Sequence, residues 1–308
     1  MIIKEYETTY LEDVINLFVE EYKVDRTEYK DNFLRFFEHP YQADQCIRII
    51  AVDEDGRLMG FQSFFYWPYV RNGKHYKVYQ SGSSIVSRHA RGKGVFQKML
   101  GYMEVVKEKY GIDFFIGFPV EASYKSFMSN GWANPFNMQW YIKVKNPFGF
   151  LFSWMYPSDN HVKWQGPFNS GVFRMENSRE FLDWRQNYQK GRYRMFRYDD
   201  GAYTFEVNHK VNTRKGIFTE LIIGEVLCST NDEDFIKQAF RKYRRWLFFQ
   251  WDIALISFCT NNEKDPLSQY ILAYGLKPIE RKVYFISKYA PETRSADWLI
   301  FRSDIDTW

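Results

Sequence analysis

The sequence is poor in the residues that bind metals or cross-link small secreted folds. Its 308 residues hold three cysteines, Cys46, Cys228 and Cys259, each alone in apolar strand-like surroundings, and five histidines without paired spacing. Neither a disulfide framework nor a structural or catalytic metal is expected, and a reducing cytoplasm is the expected compartment. No apolar run approaches the roughly 18 residues that a membrane-spanning helix needs, and Met1-Ile2-Ile3-Lys4 shows no signal-peptide pattern. Net charge is only +4, without the dense basic stripe of a nucleic-acid binder. Acidic residues are missing where a catalytic base would be useful: none occurs from Arg57 to Met103.

What is present describes a globular chain long enough for two domains, with 45% hydrophobic and 26% charged residues. The stretch Ser83–Trp132 organises it. An apolar strand ends at Ser84-Ile85-Val86, a basic glycine turn Arg91-Gly92-Lys93-Gly94 comes next, and Val95, Phe96, Met99, Leu100, Met103 and Val106 then recur at helical spacing. Gly111 reads as the helix C-cap, Ile112–Phe118 as a strand, and Glu121–Asn130 as a helix stopped by Gly131. Glycines at a helix start let backbone amides converge on an anionic oxygen, and Arg88, Arg91, Lys93 and Lys98 add positive charge around them. A P-loop is excluded because Lys93 is succeeded by Gly94 and Val95 instead of Ser or Thr. The dinucleotide fingerprint is excluded because Gln97 stands where its third glycine belongs.

In order, spacing and flanks this stretch resembles the pyrophosphate-binding turn of the GNAT acyltransferase superfamily, and the match covers roughly the first 145 residues. The resemblance implies an α+β fold, with a mixed, mostly antiparallel sheet flanked by helices. It also implies that the strand at Ile85-Val86 pairs by its backbone with a pantetheine arm, and that the amides of Gly92 to Phe96, with Arg91, Lys93, Gly94 and Val95, hold the pyrophosphate of acetyl-coenzyme A or another acyl-coenzyme A. Three family positions differ here. The tyrosine four residues before the glycine closing the second helix is Phe127, the asparagine eleven before it is Val120, and the Gln or Arg three before the first loop glycine is His89. Glu121 and Tyr124, on the same helix, are the remaining candidates for proton transfer, set against a dipole-complementing carboxylate and a core ring. Tyr79 and Gln80 are polar but poor bases.

Before the turn, Ile2–Tyr6 reads as a strand, Thr9-Tyr10-Leu11-Glu12 as a capping box, and Glu28–Glu38 as a second helix ended by His39-Pro40. Ile47–Val52, Leu58–Trp67 and Lys77–Val86 come next as antiparallel strands joined at Asp53-Glu54-Asp55-Gly56 and Asn72-Gly73. After an aromatic region, Phe136–Pro157, the pattern repeats from Asn177: helix, strands at Tyr193–Tyr198, Ala202–Val207 and Ile217–Val226, a long helix Asp232–Trp251, strand, helix, strand. The basic glycine turn is missing from this repeat, where Leu227-Cys228-Ser229-Thr230-Asn231 stands instead. The expected organisation is a GNAT acyltransferase domain at 1–145, an aromatic linker at 146–176 and a degenerate GNAT-like domain at 177–308.

The function these features imply is N-acyl transfer to a small amine. An amine of pKa about 8 is roughly one tenth free at pH 7, whereas a lysine-type amine of about 10.4 is almost wholly protonated, so a site without an evident base suits amino sugars or α-amino groups. Two alternatives stay open. One is a GNAT-derived binding or regulatory protein without turnover. The other is a Fem-like aminoacyl transferase using charged tRNA, against which the intact turn and the absent basic stripe both speak.

Overall fold

A computed structural model of the chain describes residues 1–155, 171–189, 192–214, 218–291 and 294–306. In chain order the elements are β1 (Ile2–Glu5), α1 (Leu11–Tyr22), α2 (Arg26–Phe37), the one-turn α3 (Pro40–Ala43), β2 (Ile47–Val52), β3 (Leu58–Tyr66), β4 (Tyr69–Arg71), β5 (Lys74–Tyr76) and β6 (Val78–Val86). Next come α4 (Val95–Gly101), α5 (Met103–Tyr110), β7 (Phe114–Gly117), α6 (Glu121–Ser129) and β8 (Ala133–Val144). The rest are β9 (Arg174–Met175), α7 (Arg179–Gln189), β10 (Arg192–Asp199), β11 (Thr204–Arg214), β12 (Phe218–Cys228), α8 (Glu233–Phe249), β13 (Leu255–Thr260), α9 (Pro266–Leu272) and β14 (Lys277–Lys288). This is the mixed, mostly antiparallel α+β architecture expected from the sequence.

One compact unit comprises Met1–Val70, Lys74–Phe136 and Tyr284–Thr293. Its strands take the order β1-β2-β3-β6-β7-β14, antiparallel apart from the β6–β7 pair. Strand alternation sends Ile50 and Val52 to one face, where they meet Val14, Ile15 and Phe18 of α1 and Phe33 and Phe37 of α2. Ile49 and Ala51 face the other way, toward Val95, Met99 and Leu100 of α4, Met103 and Val106 of α5, and Phe127 of α6. Each large apolar side chain buried this way contributes about 1.5–3 kcal/mol, so the helical stripes dictate which face each helix covers.

The helix ends obey local chemistry, with one departure from expectation. Asp25 caps α2 by accepting from the Glu28 amide at 2.8 Å, and Gly111, at φ 60°, ends α5. The capping box expected at Thr9–Glu12 does not form. A 3-10 turn, Thr8–Tyr10, runs straight into α1, and the Glu12 carboxylate instead accepts from Arg26 and Lys30 of α2.

The other compact unit comprises Arg71–Gly73, Asn137–Val283 and Arg294–Trp308. Its strands take the order β14-β8-β13-β12-β11-β10, with β12 and β13 parallel. Phe235, Ile236, Ala239, Phe240, Tyr243 and Leu247 of α8 bury one of its faces. The chain enters this unit between Phe136 and Asn137, inside β8, and returns to the first between Val283 and Tyr284, inside β14. The first unit claims that last segment because Ile286, Ser287 and Lys288 complete the ladder on β7 at Gly117, Ile116 and Phe115. A linear cut at 145 does not anticipate this return. Residues 156–170 of the expected aromatic linker and the expected strand start at Ile217 lie outside the described residues.

Candidate active site

Strand β6 begins paired on both sides and ends paired on one. Val78–Ser81 pair in parallel with Phe114–Gly117, after which β7 stops. On the β3 side Phe61 faces Ile85 and Ser63 faces Gly82, so Gln62 is opposed by two residues, Ser83 and Ser84. The extra residue makes a β-bulge, with Ser83 at φ 48°, and bulges bend the strand that carries them. The Gln62 side chain stitches the bend: its amide donates to Ser63 O at 2.6 Å, Ser81 Oγ at 3.1 Å and Gly82 O at 3.2 Å, while its Oε1 accepts from Ser84 Oγ. Beyond the ladder, Ile85 and Val86 pair with Phe61 and Gly60 of β3 and with no strand opposite among the described residues. A groove edge of main-chain donors and acceptors results.

The turn after β6 is built on two positive-φ glycines. Ser87–Ala90 closes a 3-10 turn, Gly92 adopts φ 76°, and Gly94 at φ 69° precedes α4. A Cβ at either glycine would meet nothing within 4 Å, so backbone conformation, not crowding, requires them. The backbone bonds of the turn run from Arg91 N to Arg88 O, from Lys93 N to Ala90 O and from Lys98 N to Gly94 O. The amides of Gly92, Gly94, Val95 and Phe96 take no part in backbone bonding among the described residues. The cations are not equal. Glu21 of α1 accepts from Arg91 at 2.8 Å and from Arg88 at 3.3 Å, and those two guanidiniums, Arg91 first, hold its carboxyl below the ordinary carboxylate range. Lys93 and Lys98 make no ion pair among the described residues and are exposed.

Helix α6 leaves the end of β7, and because β6 and β7 are parallel its first turn opens at the same end of the sheet as the glycine turn. Glu121 is exposed there and accepts from the Tyr284 hydroxyl at 2.5 Å, a bond that raises the Tyr284 phenol above its ordinary pKa. Tyr284 also packs on Tyr124, ring centroids 4.4 Å apart. The Tyr124 hydroxyl donates to Asn134 Oδ1 at 3.3 Å, and Asn134 Nδ2 donates to the carbonyls of Phe285 and Phe136, each at 2.7 Å. Phe127 is core, edge-on to Phe96 and Trp132 at 5.4 and 4.9 Å. Tyr79 and Gln80 are almost wholly buried within β6, and burial pushes the Tyr79 phenol well up.

The second unit repeats the splay. Its β12 pairs in parallel with β13 over Glu220–Ile223 against Leu255–Phe258, then runs on to Cys228, and Gly224 forms a bulge where Asn208 faces Glu225 and His209 faces Ile223. No protein-family model and no curated protein matches the sequence. Solved structures do match its fold. A GCN5-related N-acetyltransferase from Anabaena variabilis superposes with TM-score 0.64 at 6% identity, over 94% of this chain and 73% of that one. A tandem GNAT protein from the clavulanic acid biosynthesis pathway gives TM-score 0.51 at 12% identity, over 95% and 99%. A glucosamine N-acetyltransferase region of a fungal β-N-acetylglucosaminidase gives 0.51 at 12%, over 93% and 38%. The chain has a tandem GNAT fold.

The two GNAT units differ in the segment that leaves the bulged strand. In the first, Ser87–Gly94 with its two glycines leads into α4; in the second, the shorter Ser229–Asp232 leads into α8, capped by Asp232, whose carboxylate accepts from the Phe235 amide at 2.8 Å. A cavity of about 690 Å³ lies there, lined by Val226 and Cys228 of β12, Thr230, Glu233 and Ile236 at the start of α8, and Asp265 before α9. Arg174 borders this cavity together with Glu233 and Asp265, and Ser229–Asp232 holds no glycine, so the basic glycine turn of the first unit is not repeated here. The sequence pointed to the turn, to Ile85-Val86, and to Glu121 and Tyr124; it held no sign of Gln62, Glu21, Asn134 or Tyr284. Gly82-Ser83-Ser84, three small residues within a β-rich run, was the one available signal of the bulge.

Proposed function

We propose that the first unit is an acyl-coenzyme A-dependent N-acyltransferase, with acetyl-coenzyme A the first donor to test. The observation that carries this is the group of amides at Gly92, Gly94, Val95 and Phe96 left outside backbone bonding, beside a strand edge with no partner beyond Ser81 among the described residues. When bound, the donor supplies the thioester. The amides with Lys93 and Lys98 hold its pyrophosphate, and the main chain of Ile85 and Val86 orients its amide-bearing arm. Tyr124 moves a proton at its hydroxyl toward the departing sulfur, and Glu121 with Tyr284 borders the acceptor amine. No metal enters this reading. The acceptor class is a small amine with an appreciable free fraction at neutral pH, amino sugars first, a choice supported by the missing base and by the glucosamine-acetylating structural neighbour.

Calorimetric titration with acetyl-coenzyme A tests the cradle. Gly92→Trp places a ring in the space above the amides and a disfavoured side chain at φ 76°, and is expected to weaken binding at least about tenfold. Unchanged affinity would remove the site from this turn. Thiol release with an amine panel tests turnover, and Tyr124→Phe is expected to lower kcat about 10²-fold with little change in donor affinity. A second reading rests on Phe127, which is buried in the core at the position of the usual acid. Tight binding without thiol release for any amine would establish that reading, a coenzyme-binding protein without turnover.

A further inference from the structure

Fifteen large apolar side chains are exposed among the described residues, and eight of them sit on three neighbouring segments of the second unit. Phe148, Phe150 and Leu151 lie on and just before the 3-10 segment Gly149–Met155, Phe248 and Phe249 end α8, and Trp251 lies in the turn after it. Val144 and Phe218 continue the surface along a groove of about 540 Å³ that also touches Pro147 and Leu255. Phe148 is 66% exposed and Phe248 60%, more than folding alone would leave on so many adjacent rings.

The rings are held in place. A Cβ at Gly149 would lie 2.4 Å from Asp252 O, so only glycine lets this segment seat on the turn after α8. Asn146 Nδ2 donates to Trp251 O at 2.7 Å, Lys145 Nζ donates to Gln250 O, and Phe152 packs on Trp251 with centroids 6.3 Å apart. The aromatic end is therefore a built surface of one unit.

Its charge selects the partner. Arg241, Lys242, Arg244 and Arg245 are exposed on the last turns of α8, directly before Phe248, and none is in an ion pair among the described residues. No acidic residue occurs from Phe235 to Trp251 or from Trp140 to Met155. A second copy docking face to face would bring these four cations against their own counterparts. A surface of phosphate headgroups over hydrocarbon complements both halves, since arginine and lysine reach headgroups while Trp and Phe enter the interface.

We propose that this end of the second unit docks on a bilayer carrying anionic lipid, as a peripheral contact of the aromatic end flanked by the basic turns of α8. No step of this depends on the coenzyme cradle. Among the described residues no helix is long and apolar enough to cross a membrane, so the contact would be one of surface partition.

Vesicle flotation of the full chain, with phosphatidylcholine alone and with phosphatidylglycerol added, tests it. The expected result is flotation with the anionic vesicles, weakened by salt, with a blue shift of tryptophan emission. Arg244→Glu with Arg245→Glu should weaken partition about five-fold or more for each charge, and Phe248→Ser with Trp251→Ser about tenfold. All four side chains are exposed, so the melting temperature and acetyl-coenzyme A affinity serve as fold controls. Absence of flotation at low salt overturns the proposal, as does equal binding to neutral vesicles. So does a dimer in sedimentation that the Phe248 and Trp251 changes dissolve while vesicles are ignored.

Discussion

At the scale of single residues, Glu21 decides how much of the positive charge around the glycine turn is available. Its carboxylate holds Arg91 and Arg88 together, so an incoming polyanion meets two guanidiniums already paired and two lysines that are not. The pair is surface-exposed and modest in energy, but its position makes it a competitor for the proposed ligand. Glu21→Gln removes the competing charge and is expected to tighten acetyl-coenzyme A binding several-fold at low ionic strength, with a steeper loss of affinity on adding salt. A titration in which the variant binds no tighter at low salt would mean that neither arginine reaches the ligand. The sequence could not have revealed this, because Arg88 and Glu21 are 67 positions apart and both letters are ordinary in a solvated helix and a basic turn.

At the scale of elements, the site is a strand, a bulge, a turn and a helix, and its parts were unequally legible. The turn was readable because positive φ demands glycine at 92 and 94, and α4 because its apolar stripe has helical period. The bulge was not, since one extra residue leaves a strand's composition unchanged and its alternation disturbed at one point only. The return of β14 to the first unit was hidden for a related reason: pairing partners across a sheet carry no local signal, and Ile286 finds Gly117 across 169 residues of chain. The bulge is testable through Gln62, which is fully buried and satisfies donors and acceptors on both strands. Gln62→Leu keeps the volume but leaves Ser84 Oγ, Ser81 Oγ and Gly82 O without that partner, at about 1–3 kcal/mol. A melting temperature lowered by several degrees with weakened acetyl-coenzyme A binding is expected. A variant with wild-type stability and affinity would show that the bulge is set by the Ser83 backbone alone.

At the scale of the whole molecule, the chain repeats one device, a parallel ladder ending in a bulged strand, and equips the two copies differently. The first ends in glycines and cations, while the second carries buried ionisable groups around its bulge. Glu225 stands directly after Gly224, buried, accepting from Asn177 Nδ2 at 2.6 and 2.5 Å. Burial first, then the nearby Asp304 carboxylate, pushes its carboxyl up to about 8, against the weaker pull of Arg174 and Arg185. Its folded pKa exceeds the unfolded value near 4.5, so its contribution is present below pH 4.5 and is lost as pH rises toward 8. Glu206, raised by burial to about 7, acts with the same sign, and its loss is complete at a lower pH. His209, buried between the Tyr243 hydroxyl and Arg194 O and depressed by burial to about 3, has the opposite sign, losing stability as pH falls from 6.5 toward 3. Lys145 and Lys210, lowered by burial to about 8, titrate at the upper edge of the range. Between pH 7 and 8, therefore, Glu225 carries most of the carboxylate slope. Its replacement by Gln keeps an acceptor for Asn177 and removes the charge. The two lysines act with the opposite sign, adding stability as pH rises toward and past 8. Thermal melts across that window should therefore show wild-type stability falling with pH relative to Glu225→Gln, with the variant the more stable at pH 8. Parallel slopes in the two proteins would mean that Glu225 is ionised in the folded chain and that Arg174 and Arg185, not burial, govern it.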